Sequence, residues 1–142
     1  MIFRRLELSS FRNIKSLSME PFEGVNIICG ENAQGKTNLM EAMWLFTGAK
    51  SFRKTKDSEF VKIGEEKATL YADFFAEGRE QNAEISFFPS KAMKKNGIDI
   101  KSAAEYAGST LRQAFLQTSA SANVRCLHRR RSTGRTTLLP AV

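Results

Sequence analysis

Residues 30–37 read Gly-Glu-Asn-Ala-Gln-Gly-Lys-Thr and fill every fixed position of the pattern Gly-x-x-x-x-Gly-Lys-Ser/Thr. Nothing else in the chain restricts its fold as much, because the pattern works only where a strand enters a glycine turn and a helix leaves it. With Gly near 7% of residues, a chance match in a chain of this length is on the order of 1 in 200. The flanks fit. Val25-Asn26-Ile27-Ile28-Cys29 is a short, mostly apolar run that predicts a strand buried in a sheet. Asn38-Leu39-Met40-Glu41-Ala42-Met43-Trp44-Leu45-Phe46 is rich in helix formers, with Gly48 placed as its stop.

Each residue type in the loop has a physical task. Gly30 and Gly35 allow the tight turn that points successive N–H groups of Glu31, Asn32, Ala33 and Gln34 inward, toward phosphate oxygens. A helix starting near Lys36 adds the positive end of its dipole. Lys36 is the expected point charge on the β- and γ-phosphates of ATP, and the Thr37 hydroxyl the expected Mg²⁺ ligand. The bland alternative is an ordinary glycine turn carrying an exposed lysine.

The helix after the loop is apolar on most sides. Its Leu39, Met40, Met43, Trp44, Leu45 and Phe46 predict a central helix packed beneath a sheet rather than a ligand box. Glu41 is the exception and must find solvent or a basic partner. Before the loop, residues 6–13 predict a first strand running into a turn. Beyond the helix, Thr69–Phe75 and Ala83–Phe88 are β-rich, and Gly78 between them predicts an antiparallel hairpin. Asn96-Gly97 predicts a second, two-residue hairpin turn. Together these give a mixed α/β lobe, an antiparallel layer beside a phosphate-loop strand and helix. Lys50, Arg53, Lys54 and Lys56 surround Phe52; a solvated loop is the first reading of this cluster and a DNA-backbone contact the second.

Charge divides the chain. Residues 1–108 carry 11 Lys and 5 Arg against 15 acids, a net of +1, whereas residues 109–142 carry 6 Arg and no acid, a net of +6. The second part also lacks Lys, Ile and Tyr. Leu111–Leu116 has room for a helical turn or two, but no apolar period continues beyond it. Three readings stand for 109–142: an altered reading frame, which the abrupt change of composition favours, a disordered linker, or an arginine-rich nucleic-acid arm around Arg129-Arg130-Arg131. No run approaches the roughly 18 apolar residues of a membrane helix and the start has no secretory h-region, so the expected location is the cytoplasm. Cys29 and Cys126 form neither a metal-ligand spacing nor a disulfide framework; Cys29 reads as a small core residue, and the single histidine, His128, has no evident metal or catalytic partner.

Leu8-Ser9-Ser10-Phe11-Arg12-Asn13-Ile14, then Gly24 through Ala42 with its Gly-Glu-Asn-Ala-Gln-Gly-Lys-Thr loop, resemble the opening of the RecF family. Thr47-Gly48-Ala49-Lys50-Ser51-Phe52-Arg53 and Lys95-Asn96-Gly97 are similar to its following segments, and the match runs over about residues 1–108. The resemblance implies a P-loop NTPase fold, the N-terminal lobe of an ABC- or SMC-type ATPase head akin to Rad50 and the chromosome-maintenance proteins. It implies ATP and Mg²⁺ as cofactors, with Asn32 to Thr37 lining the nucleotide and Arg12 reaching its phosphates. It further implies an ATP-dependent homodimer and binding to single-stranded or gapped DNA. Assistance to RecA loading with RecO and RecR follows too, with roles in DNA repair and damage, replication, recombination and the SOS response. The family's Walker B acids and signature motif lie beyond the matched stretch, so the chain reads as truncated and hydrolysis by it alone is not expected. A head fragment of another SMC- or Rad50-like ATPase, a non-functional truncated product and a metabolic kinase are the alternatives.

Overall fold

A computed structural model describes residues 2–48, 50–100, 124–129 and 138–139, the last two segments as backbone only. The expected helical turn at 111–116 and the basic residues 130 and 131 lie outside the described residues, as do the side chains of Cys126 and His128.

Six strands form one antiparallel sheet. In chain order they are β1 (Ile2–Phe11), β2 (Ile14–Met19), β4 (Ala68–Ala76), β5 (Arg79–Phe87), β6 (Ala92–Lys95) and β7 (Ile98–Ile100), after β3 (Val25–Ile28) is set aside. Their spatial order is β2-β1-β4-β5-β6-β7. Alternation drives β4 and β5: Ala68, Leu70, Ala72, Phe74 and Ala76 face inward, with Ala83, Ile85 and Phe87 beside them. The two strands pair in continuous register from Ala68↔Phe87 to Ala76↔Arg79. Glu77 and Gly78 close that hairpin at φ 54° and 73°, and Asn96 and Gly97 close β6–β7 at φ 51° and 77°. Both pairs have the left-handed backbone that two-residue hairpin turns demand. On β1 the pairing with β4 slips between Phe3 and Arg5, and this bulge leaves Arg4 and Arg5 both exposed.

Helix α1 (Lys36–Leu45) lies on the inner face of this sheet. Leu39, Ala42, Leu45 and the following Phe46 join Phe3, Leu6, Leu8, Leu70 and Phe74 in one apolar core. Phe3 and Phe46 meet edge to face at 6.1 Å, which ties the helix end to β1. The helix stops as Gly48 adopts φ 75° and donates its N–H to the Leu45 carbonyl. Two apolar expectations are corrected: Met40 is 43% exposed, because it faces away from the sheet, and Cys29 is half-buried rather than in the core. Residues 50–60 then return to β1. A 3-10 turn, Asp57–Phe60, sinks Phe60 between Phe11 (5.6 Å, stacked) and Phe87 (4.6 Å). Arg12 N–H to the Phe60 carbonyl and Lys62 N–H to the Ser10 carbonyl, 2.8 Å each, lock the return.

The phosphate-loop strand β3 stands outside the six-stranded sheet. It runs parallel to β8 (Val124–Arg129), from Val25↔Val124 to Ile28↔Leu127, and β8 pairs antiparallel with β9 (Leu138–Leu139). Rather than buried, β3 is half-buried, and its Ile27 is 43% exposed. Among the described residues, no helix is long and apolar enough to cross a membrane.

Candidate functional site

The loop 30–37 joins β3 to α1 as its pattern requires. Gly30 has φ 148° and Gly35 φ 92°, both in the region that favours glycine. At Gly35 a Cβ would meet Asn13 Oδ1 at 2.9 Å, so that side chain would have to shift. Gly35 is also the N-cap of α1, without a side-chain cap and with no acid in the first turn. The amides of that turn are therefore left facing the loop, a ready anion site reinforced by the helix dipole. Lys36 reaches back over the loop, its Nζ donating to the carbonyls of Gly30 (2.6 Å) and Glu31 (2.7 Å).

Beside the loop lies a cavity of about 340 Å³, at the lower end of the size of ordinary ligand pockets. Five of the residues singled out in the sequence line it: Asn32, Ala33, Gly35, Lys36 and Thr37. Gly30, Glu31 and Gln34 complete the loop without lining it. Three others were missed by sequence reasoning, namely Asn13, Asn38 and Arg53. Asn13 Nδ2 donates to the Ala33 carbonyl (3.1 Å) and Asn13 Oδ1 accepts from Asn38 Nδ2 (2.7 Å), so the β1–β2 turn props the loop against the helix. Arg53 Nη1 donates to Asn38 Oδ1 at 2.8 Å. The wall thus holds two cations, Lys36 and Arg53, and no acid. Asn13 and Asn38 directly follow residues already chosen, which was the available signal; Arg53 was visible only as a member of its basic cluster.

Behind the cavity sits a buried polar knot. Glu41 is fully buried, and its expected basic partner is Arg12. Arg12 Nε and Nη2 each lie 3.0 Å from one of its oxygens, a two-pronged ion pair. Ser51 Oγ donates to Glu41 Oε1 at 2.5 Å, and Arg53 Nη1 stands 3.7 Å from Oε2. Arg12 also donates to Thr55 Oγ1 (2.8 Å) and the Glu59 carbonyl (3.2 Å), with its guanidinium 4.9 Å over the Phe60 ring. Its side chain is 13% exposed and is not among the cavity-lining residues. The structure therefore brings Arg12 to the back of the phosphate loop, engaged with protein groups.

A polyphosphate fits this wall: backbone amides, two cations and four neutral amide or hydroxyl side chains, with no carboxylate to repel it. For Mg²⁺ the chain offers the Thr37 hydroxyl; no group of three His, Cys, Asp or Glu able to hold a metal occurs among the described residues. The ion would take its other ligands from phosphate oxygens and water.

Comparison with known proteins follows the same line. Residues 1–133 match the family model described as AAA ATPase domain. The DNA replication and repair protein RecF of Lachnospira eligens is 38% identical over 110 residues, covering 76% of this chain and 30% of that protein. A solved structure of the recombination mediator protein RecF with ATP, in the RecFOR pathway, superposes with a TM-score of 0.69 at 38% identity over 75% of this chain and 30% of its own. A chromosome-maintenance head bound to a winged-helix domain of ScpA shares the fold, with a TM-score of 0.69 at 21% identity over 78% of this chain and 40% of its own. The chain spans about 30% of the length of the RecF relative it matches.

Proposed function

Since the chain belongs to the AAA ATPase domain family and is 38% identical to RecF proteins over three quarters of its length, we propose that it binds Mg·ATP through residues 30–37 as the N-terminal part of a RecF-type DNA-repair ATPase. The observation that carries this reading is the acid-free cavity whose wall combines Lys36, Thr37, the uncapped start of α1 and Arg53. In it, the loop amides and Lys36 would hold the β- and γ-phosphates, and Thr37 would be the protein's ligand to Mg²⁺, which would supply charge neutralisation. A direct reach of Arg12 to phosphate would require it to leave Glu41, so its contacts support a role behind the loop more than in it.

DNA is the second partner in this proposal, as single strand or gapped duplex. The exposed cations Lys50, Lys54 and Lys56, with half-exposed Phe52, occupy the same loop as Arg53, which lines the cavity. Cations there would bind backbone phosphates and the ring a splayed base. Partnership with RecO and RecR in RecA loading, nucleotide-dependent dimerisation, a part in the SOS response and a cytoplasmic location complete the proposal; these rest on family membership.

One experiment tests both halves. Purified chain is titrated with Mg·ATP and, separately, with a fluorescent gapped duplex. Lys36→Ala should abolish nucleotide binding and leave basal DNA binding in place, while the triple change of Lys50, Lys54 and Lys56 to Ala should do the reverse. Equal Mg·ATP affinity in wild type and Lys36→Ala would sink the phosphate-loop assignment.

A further inference from the structure

Two arginines from distant segments converge on one buried carboxylate directly behind the cavity. Glu41 is wholly inaccessible, Arg12 is 13% exposed and Arg53 36% exposed. The two ion pairs are not equivalent. Arg12 is committed, with both prongs on Glu41 at 3.0 Å and further donors to Thr55 and Glu59. Arg53 is held loosely from the Glu41 side, at 3.7 Å, and firmly by Asn38 at 2.8 Å, and it alone of the two reaches the cavity wall.

Geometry along the helix explains the arrangement. Glu41 lies three residues after Asn38 and four after Thr37, so all three share one side of α1, ordered from the cavity inward. A guanidinium on a third-exposed, four-bond stem keeps many rotamers unless neighbouring groups restrain it. Asn38 restrains it by accepting from Nη1 at 2.8 Å, and Glu41, 3.7 Å from the same nitrogen, by charge. Ser51 adds a backbone tie, because its Oγ both donates to Glu41 (2.5 Å) and accepts from the Arg53 N–H (3.0 Å). The carboxylate thus fixes the Arg53 main chain through Ser51 and its side chain through charge. Arg12, with two prongs on Glu41, holds the carboxylate in place when Arg53 turns outward to an anion.

We propose that Glu41 is a positioning residue for polyphosphate binding: shared with Arg12 and Ser51, it holds Arg53 as the second cation of the phosphate cavity. The inference rests on the nucleotide-binding reading above and adds to it a named support that does not touch the ligand. It excludes a purely structural role for Glu41, in which the carboxylate would only neutralise Arg12.

The test is a double-mutant cycle on the full 142-residue chain, read by calorimetric titration with Mg·ATP and with inorganic triphosphate. Arg53→Gln and Glu41→Gln should each weaken binding by about tenfold, the size of one charge-assisted contact. The double variant should bind no worse than either single one, because Glu41 acts through Arg53. Losses that multiply in the double variant would show that Glu41 acts on the loop by another route and overturn the proposal. Should Glu41→Gln fail to melt cooperatively, Arg53→Lys takes its place: it keeps the charge but loses the planar guanidinium whose Nη1 stands between Asn38 and Glu41, so it should lose most of what Arg53→Gln loses. Wild-type affinity in Arg53→Lys would overturn the proposal. Lys36→Ala run alongside separates the two readings. If it binds like wild type, the phosphate-loop assignment fails and this inference with it; if it loses binding while the cycle multiplies, Glu41 alone is reassigned.

Discussion

Along β4 and β5 the buried side chains are Ala, Leu, Phe and Ile with the single exception of Gln81, whereas at the phosphate corner the buried side chains include Glu41 and Ser51, gripped by Arg12. The sheet is held by area removed from water, a force without direction that any well-sized apolar residue can supply. The corner is held by directed hydrogen bonds drawn from the β1–β2 turn, the loop, the helix and residues 51–59. Backbone strain occurs in both regions. In the sheet the positive φ angles of Glu77 and Asn96 are what their two-residue turns demand, and Phe88 just after β5 stands at 111°; at the corner Ser10, Ala33 and Lys54 adopt φ between 51° and 63° outside any such turn. The sheet supplies stability, and the corner spends part of it on a fixed arrangement of polar groups.

Removing a large sheet side chain should have the largest effect on that contrast. Phe74→Ala leaves a cavity in the fully buried core and should cost about 3–5 kcal/mol in denaturant unfolding, without selective loss of phosphate binding in the molecules still folded. A loss of nucleotide affinity larger than the loss of folded fraction would show that the two regions are not separable.

Two glycines sharpen the comparison at smaller scale. Gly35→Ala and Gly97→Ala both force an alanine to positive φ, 92° and 77°. Open space surrounds Gly97, so its substitution should cost only the backbone term, about 1 kcal/mol. At Gly35 the new methyl would press on Asn13 Oδ1, which must give way and release Ala33, so stability and Mg·ATP affinity should fall together. Equal consequences at the two sites, measured by melting and titration, would argue against a specially built corner.

The smallest effect is on the outer face of the sheet. The Tyr71 hydroxyl donates to Asp73 at 2.6 Å, and this bond, with burial second, pushes the phenol from its usual 10.0 up to about 12. A folded-state value above the unfolded one means the contribution is complete below pH 10 and is lost as pH climbs toward 12. Tyr71→Phe should flatten that alkaline decline in stability and leave Mg·ATP binding unchanged; an unaltered slope between pH 10 and 12 would remove the assignment.

Much of the fold can be read in the sequence where a local rule governs. Alternation marks β4 and β5, the Asn96-Gly97 pair marks its turn, and the loop pattern marks both its strand and its helix. β2 escapes because Ile14-Lys15-Ser16-Leu17-Ser18-Met19 mixes polar and apolar residues at the sheet edge, with one residue buried of six. The order β2-β1-β4-β5-β6-β7 escapes too, since the β1–β4 pairing spans the loop and helix between them. The site divides likewise. Residues 30–37 are contiguous and legible, but Arg53 reaches the cavity only because Phe60 anchors the returning chain between Phe11 and Phe87. Met40 was misjudged because hydrophobicity alone does not say which side of a helix meets the sheet.

On the proposed reading, residues 30–37 and their polar supports form a polyphosphate site on a scaffold that does not itself take part. Amide NMR spectra of the isotopically labelled chain, recorded as Mg·ATP is added, test this most directly. Saturable shifts are expected at Asn32, Ala33, Gly35, Lys36, Thr37 and Arg53, with β4 and β5 amides from Ala68 to Phe87 unmoved, and loss of all shifts in Lys36→Ala. Shifts spread evenly over both regions, or shifts that survive Lys36→Ala, would contradict it.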